Sequence, residues 1–157
     1  PPRSTLFPYT TLFRSGWFYE DIFAEVERLG LQDRVHFPGY VSAESQVLWY
    51  NAATAFAYLS HYEGFGLPVL EALACGIPTV TGEATSLPEV AGDGALTVDA
   101  ENVAAVTEGL HRLLTDIALR EMLRERGLRH AGRFTWEETA RRTSALYTSL
   151  LEKPRTG

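Results

Sequence analysis

The chain of 157 residues has the length of one compact domain with its own core, and two full domains do not fit. Its 45% hydrophobic and 22% charged residues place it with globular proteins and away from disorder. A net charge of −6 argues against nucleic acid as a partner, because a general binder of phosphate backbone needs a basic face.

The charge is also uneven: no Lys or Arg occurs between Arg34 and Arg112, and the single Lys is Lys153. One cysteine, Cys75, cannot form an internal disulfide and lies in an apolar run, which fits a buried thiol, a reducing compartment and a cytoplasmic location. The longest uncharged run, 45–62, carries Gln46, Asn51, Thr54, Ser60 and His61 and is too polar for a transmembrane segment. Residues 1–16 lack a starting Met, an unbroken apolar core and a cleavage site, so they do not read as a signal peptide. They echo Thr5-Leu6-Phe7 in Thr11-Leu12-Phe13, resemble read-through of a cloning or sequencing adapter, and offer strand-like residues with no obvious partner downstream. We expect a non-native or disordered leader over 1–16, a domain over 17–152 and a flexible tail over 153–157.

From Trp17 onward helix and strand signals alternate, as in an α/β domain with a parallel sheet. Phe18, Ile22, Phe23, Val26 and Leu29 share a helical face that Gly30 closes. Val35–Phe37 reads as a short strand cut by Pro38-Gly39, and Ser42 as the cap of a helix carrying Val47, Leu48 and Tyr50. Residues 53–60 read as a buried strand; Pro68 starts a helix that stops at Gly76; 77–81 and 95–98 are the next strands. Helices follow over 101–114, 117–131 and 136–151, the last with the capping box Thr135/Glu138. The charges in 120–129 read as a solvated face, and Trp49 and Trp136 as packing residues.

The chemistry concentrates in SHYEGFGLPVLEALACGIP, residues 60–78. A strand ends at Ser60, a loop with Gly64 and Gly66 follows, and a helix begins at Pro68. In open α/β sheets ligands sit beyond the carboxyl ends of strands, where helix starts offer free N–H groups to anions. The two glycines let backbone approach a ligand, and the amides near Leu67 would face a phosphate. Glu63 and Glu71 flank the loop, and a carboxylate is a good acceptor for vicinal sugar hydroxyls. By spacing alone, two glutamates eight residues apart are commonplace and favour an ordinary helix start after a turn. The histidines, His36, His61, His111 and His130, show no metal spacing, and neither a Gly-x-Ser-x-Gly, a GxGxxG nor a Walker A pattern occurs.

The stretch EGFGLPVLEALACGIP resembles the signature of retaining, nucleotide-sugar-dependent glycosyltransferases of family 4. RVHFPGYV (34–41), SLPEVAGDGALTVD (86–99) and FTWEETA (134–140) resemble further blocks of that family, in its order and spacing. Leu59, Pro38 and Leu73 depart from its usual residues. The resemblance implies a Rossmann-like three-layer domain, the incomplete C-terminal half of a GT-B enzyme, ending in helices. It implies that Glu63 contacts the donor sugar and that Glu71 binds the nucleotide ribose. Backbone at Gly64, Phe65, Gly66 and Leu67 would touch sugar and diphosphate, and main chain at Tyr40 and Val41 would meet the base; by its own position, Ser60 fits a phosphate bond and a strand-end bond to the backbone equally. Glu89 fits a helix start or a ligand contact equally. The partners implied are a nucleoside diphosphate sugar and a hydroxyl acceptor, whether glycan, lipid or small molecule. No cofactor and no metal are expected, and the parent enzyme could associate peripherally with a membrane.

A diphosphate needs cations, and a helix start contributes only about 1 kcal/mol at an exposed site. In the resembling family an Arg and a Lys from an upstream half supply them. The gap between Arg34 and Arg112 therefore suggests a donor half-site, truncated upstream and inactive alone. Two other readings remain: a non-catalytic α/β module, and another GT-B enzyme such as a sugar-nucleotide epimerase.

Overall fold

The computed structural model describes residues 7–8, 20–39 and 41–152. Tyr40, the tail over 153–157 and most of the leader over 1–16 lie outside the described residues. Within the leader, Phe7–Pro8 (β1) pairs in parallel with Val35–His36 (β2), Phe7 opposite Val35. This corrects the expectation that the leader has no partner strand. A two-residue strand is too short to leave a period-2 pattern, which is why the sequence hid it.

Helices Glu20–Arg28 (α1) and Ala43–Ala52 (α2) frame β2. Ser42 caps α2 as expected, its hydroxyl accepting the Ser45 amide at 3.3 Å. A second sheet holds Phe56–Tyr58 (β3), Thr79–Gly82 (β4) and Ala95–Val98 (β5), all parallel, with β4 in the middle. Between β3 and β4 runs Leu67–Ala74 (α3), and between β4 and β5 the short helix Leu87–Ala91 (α4). Val103–Thr115 (α5), Ile117–Ala131 (α6) and Trp136–Glu152 (α7) complete the chain.

Both expected strands 53–60 and 77–81 are trimmed at their first residues, for one physical reason. The Ala53 amide donates to the carbonyls of Trp49 and Tyr50 and ends α2. The amides of Gly76 and Ile77 donate to the carbonyls of Leu73 and Ala72, a Schellman closure that Gly76 permits at φ +69°. Residues that close a helix cannot also join the sheet.

The core lies on both faces of β4. Val80 packs with Leu113 of α5 and Leu119 and Leu123 of α6, and Leu96 and Val98 border the cluster. On the opposite side Val69 and Leu73 of α3, Leu87, Val90 and Ala91 of α4 and Ala131 of α6 pack together, with Tyr58 and Ala95 at the edge. This is the helix–sheet–helix layering expected of a doubly wound domain. Thr79 and Thr81 are buried, yet their hydroxyls donate to the Ile77 and Tyr58 carbonyls at 2.9 and 3.1 Å, so their burial leaves no unpaired donor. A third cluster joins Tyr50 of α2 to Ala72 and Ile77, with Phe56 and Cys75 against it. Cys75 lies against these apolar groups but is half-buried, short of the full burial its surroundings in sequence suggested, and burial, then Glu71, raise its thiol pKa.

The outer helices form as expected and expose large apolar side chains. Ile22, Phe23 and Leu29 on or beside α1, and Leu146, Tyr147, Leu150 and Leu151 on α7, remain exposed. Trp136, expected to pack, is 82% exposed. The capping box of α7 is half formed: the Glu138 amide donates to Thr135 Oγ1 at 3.1 Å, while the Glu138 carboxylate accepts from Arg141 and Arg142 instead.

Candidate functional site

The site gathers at the carboxyl end of β3, where the chain leaves the sheet and turns into α3. Gly66, the residue before α3, has φ +101° and ψ 45°, a conformation that a side chain resists. Among the described residues no side chain caps α3, and the first amides of a helix have no intrahelical acceptor. Leu67 leads the helix and Pro68 is its second residue, one position later than the sequence suggested.

The two loop glycines do different work. A Cβ on Gly64 would meet nothing within 4 Å among the described residues. A Cβ on Gly66 would lie 2.7 Å from Leu87 Cδ2, in the core beneath α4. Gly66 is therefore required by the protein's own packing, and Gly64 leaves room outside it.

Glu63 is half-buried, and its Oε1 accepts the Tyr58 hydroxyl proton at 2.5 Å. Tyr58 belongs to β3, so the sheet itself sets the carboxylate's position. Burial first, and then this bond to Glu63, push the Tyr58 phenol pKa well up, which keeps it a donor. The backbone of Glu63 is held as tightly. Its amide donates to Thr85 Oγ1 at 3.0 Å, and Thr85 Oγ1 donates back to its carbonyl at 3.0 Å. Ser86 Oγ lies 3.0 Å from the same carbonyl and 2.9 Å from that of Phe65. Thr85 makes this clasp at φ +52°, a conformation a β-branched residue adopts only under constraint.

Glu71 lies one turn into α3 and is exposed. Its Oε2 accepts from Gln46 Nε2 at 3.1 Å and from the Tyr50 hydroxyl at 3.2 Å, both on α2. Neither Glu63 nor Glu71 has an ion-pair partner among the described residues; each is held by neutral donors. Two carboxylates held this way on either side of an uncapped helix start can accept hydroxyls while the amides between them face an anion.

The remaining expected residues divide. Phe65 is in the loop, its ring meeting the edge of Phe134 at 6.0 Å, so the 134–140 block touches the 63–67 loop. The Ser60 hydroxyl donates to the Tyr62 carbonyl at 3.2 Å, the ordinary strand-end bond. Val41 is half-buried just ahead of the Ser42 cap, and Tyr40 lies outside the described residues. Glu89 sits in the first turn of α4, the helix-start position. Among the described residues no group of three His, Cys, Asp or Glu is placed to hold a metal ion, and no helix is long and apolar enough to cross a membrane.

Sequence reading missed the residues that hold the carboxylates. Gln46 and Tyr50 are four apart on one helical face, a detectable spacing, but nothing local connects them with Glu71. Thr85 and Ser86 reach Glu63 across more than twenty residues, so no local pattern could reveal them.

The Glycosyl transferases group 1 family matches residues 18–130, and the chain belongs to that family, with the α/β architecture of GT-B glycosyltransferases. Over 135 residues it is 41% identical to the O-antigen chain mannosyltransferase B of Escherichia coli, a match spanning 86% of this chain and 35% of that protein. Sucrose-phosphate synthase from Thermosynechococcus elongatus superposes with a TM-score of 0.73 at 31% identity, over 84% of this chain and 34% of that one. Anabaena HepE, solved with UDP and glucose, shares the fold with a TM-score of 0.71 at 22% identity, over 83% and 36% of the two chains. The chain thus spans about a third of the length of the curated relative.

Proposed function

We propose that residues 60–71 form the donor half-site of a retaining hexosyltransferase of family 4, binding a nucleoside diphosphate sugar. The observation that carries this is the pairing of two neutrally held carboxylates, Glu63 and Glu71, across the uncapped start of α3. Glu63 takes the sugar hydroxyls and Glu71 the ribose hydroxyls. The amides of Gly64 to Leu67 face the diphosphate, Ser60 is a phosphate donor, and main chain at Tyr40 and Val41 meets the base. The acceptor is a hydroxyl group, and transfer needs no metal or other cofactor. In the parent enzyme, cations supplied from outside residues 35–111 stabilise the leaving diphosphate, because this segment contains no Lys or Arg. The reaction takes place in the cytoplasm, and the isolated chain binds donor without turnover.

Calorimetry of the chain with UDP, and in parallel with GDP, tests the reading. UDP is the first probe because a protein of the same fold was solved with it. Glu71→Ala should weaken the nucleotide that binds by about tenfold or more, the scale of a lost hydrogen bond to a charged group. Unchanged affinity would remove Glu71 from the ribose site. Glu63→Ala should leave nucleotide binding intact and abolish transfer in the full-length enzyme; retained turnover would remove Glu63 from the sugar site.

A further inference from the structure

Glu71 Oε2 forms a closed triangle with two atoms of α2. Gln46 Nε2 lies 3.3 Å from Tyr50 Oη and 3.1 Å from Glu71 Oε2, and Tyr50 Oη lies 3.2 Å from the same Oε2. The proton count fixes the directions. Gln46 Nε2 can only donate, and the Tyr50 hydroxyl has one proton to give. That one proton has two acceptors within reach, Glu71 Oε2 at 3.2 Å and the Pro68 carbonyl at 3.5 Å. The nearer, charged acceptor makes the stronger bond. Both donors thus reach Oε2, and Oε1 meets no donor among the described residues.

We propose that Gln46 and Tyr50 are positioning residues that hold Oε2 of Glu71, so that Oε1 is presented to the two hydroxyls of the donor's ribose. This rests on the reading of Glu71 as the ribose ligand. Tyr50 is suited to the task in three ways. It is 4% exposed, its ring meets the edge of Phe56 at 5.5 Å, and its cluster with Ala72 and Ile77 ties α2 to α3. Burial above all, with Glu71 contributing, raises its pKa, so the phenol keeps its proton in the pH range of biology. Gln46 is four residues earlier on the same helix face and completes the triangle from the solvent side. A free carboxylate on an exposed helix face samples several rotamers; this one is held before a ligand arrives, which lowers the ordering cost of binding.

The test is ligand discrimination. The 157-residue chain is titrated with UDP or GDP, whichever it binds, and with the 2′,3′-dideoxy analogue of that nucleotide. Wild type should prefer the ribonucleotide. Tyr50→Phe keeps the ring and removes the hydroxyl, and should weaken the ribonucleotide about three- to tenfold while leaving the dideoxy analogue unchanged. Gln46→Leu, at a half-buried position, should give the same pattern and covers the case in which Tyr50→Phe fails to fold. The double variant should cost less than the two single losses combined, because both act on one oxygen. Equal weakening of both nucleotides would mean a merely structural role and would overturn the proposal, as would unchanged discrimination in both variants. A wild type that binds both nucleotides equally, or neither, would instead overturn the ribose assignment of Glu71 and this proposal with it.

Discussion

Gly66→Ala and Gly64→Ala form a matched pair whose outcomes should diverge. At Gly66 the substitution meets two penalties. Its φ of +101° lies beyond even the left-handed helical region, which costs a non-glycine residue about 1–3 kcal/mol. Its new Cβ would sit 2.7 Å from Leu87 Cδ2, and Leu87 is 0% exposed, locked among Val69, Leu73, Val90 and Ala91. Overpacking of that kind costs about 1–3 kcal/mol. Lower entropy of the unfolded chain returns about 0.4–1 kcal/mol. The net destabilisation centres near 3 kcal/mol, or a Tm lower by about 6–12 °C for a domain of this size. Gly64 has no positive φ and, among the described residues, nothing within 4 Å of its Cβ position, so only the entropy term applies, and Gly64→Ala should leave Tm unchanged or slightly raised. Scanning calorimetry on the two variants and wild type decides the matter. Equal Tm values for the two variants would refute the claim that Gly66 serves packing under α4.

Two further outcomes follow from the same geometry. Thr85→Val keeps the β-branched shape, and therefore the backbone strain, but removes the hydroxyl that makes both bonds to Glu63; it should lower stability by about 1–2 kcal/mol. Hydrogen exchange should show the Glu63 amide losing protection in that variant, and unchanged protection would mean that Thr85 does not hold the loop. Glu138 has its pKa lowered from 4.5 to about 2, first by its bonds to Arg141 and Arg142. Because the folded value is the lower one, its contribution to stability is complete above pH 4.5 and disappears as pH falls toward 2. Glu138→Gln should flatten the dependence of α7 helicity on pH across that window, read by circular dichroism, and an unaltered slope would exclude the pairing in solution.

What the sequence by itself determined is the local grammar. Caps and breakers are encoded within a few residues, so Ser42, Thr135, Gly76, the helix over 117–131 and the strand over 95–98 were legible directly. The carboxylates Glu63 and Glu71 stood out for the same reason: they flank a strand–loop–helix junction readable from spacing, and family resemblance gave them roles. Apolar periodicity foretold α1 but not where its apolar face goes, since periodicity reports a face and never its neighbour. Tertiary structure alone decided three things. It trimmed β3 and β4, because amides at their starts were already closing helices. It separated Gly64 from Gly66, identical in sequence terms, by placing Leu87 against only one of them. It also brought Tyr58, Thr85 and Ser86 to Glu63, and Gln46 and Tyr50 to Glu71. A hydrogen bond needs its partners within about 3 Å, a condition that chain separation does not encode and only the packed fold satisfies.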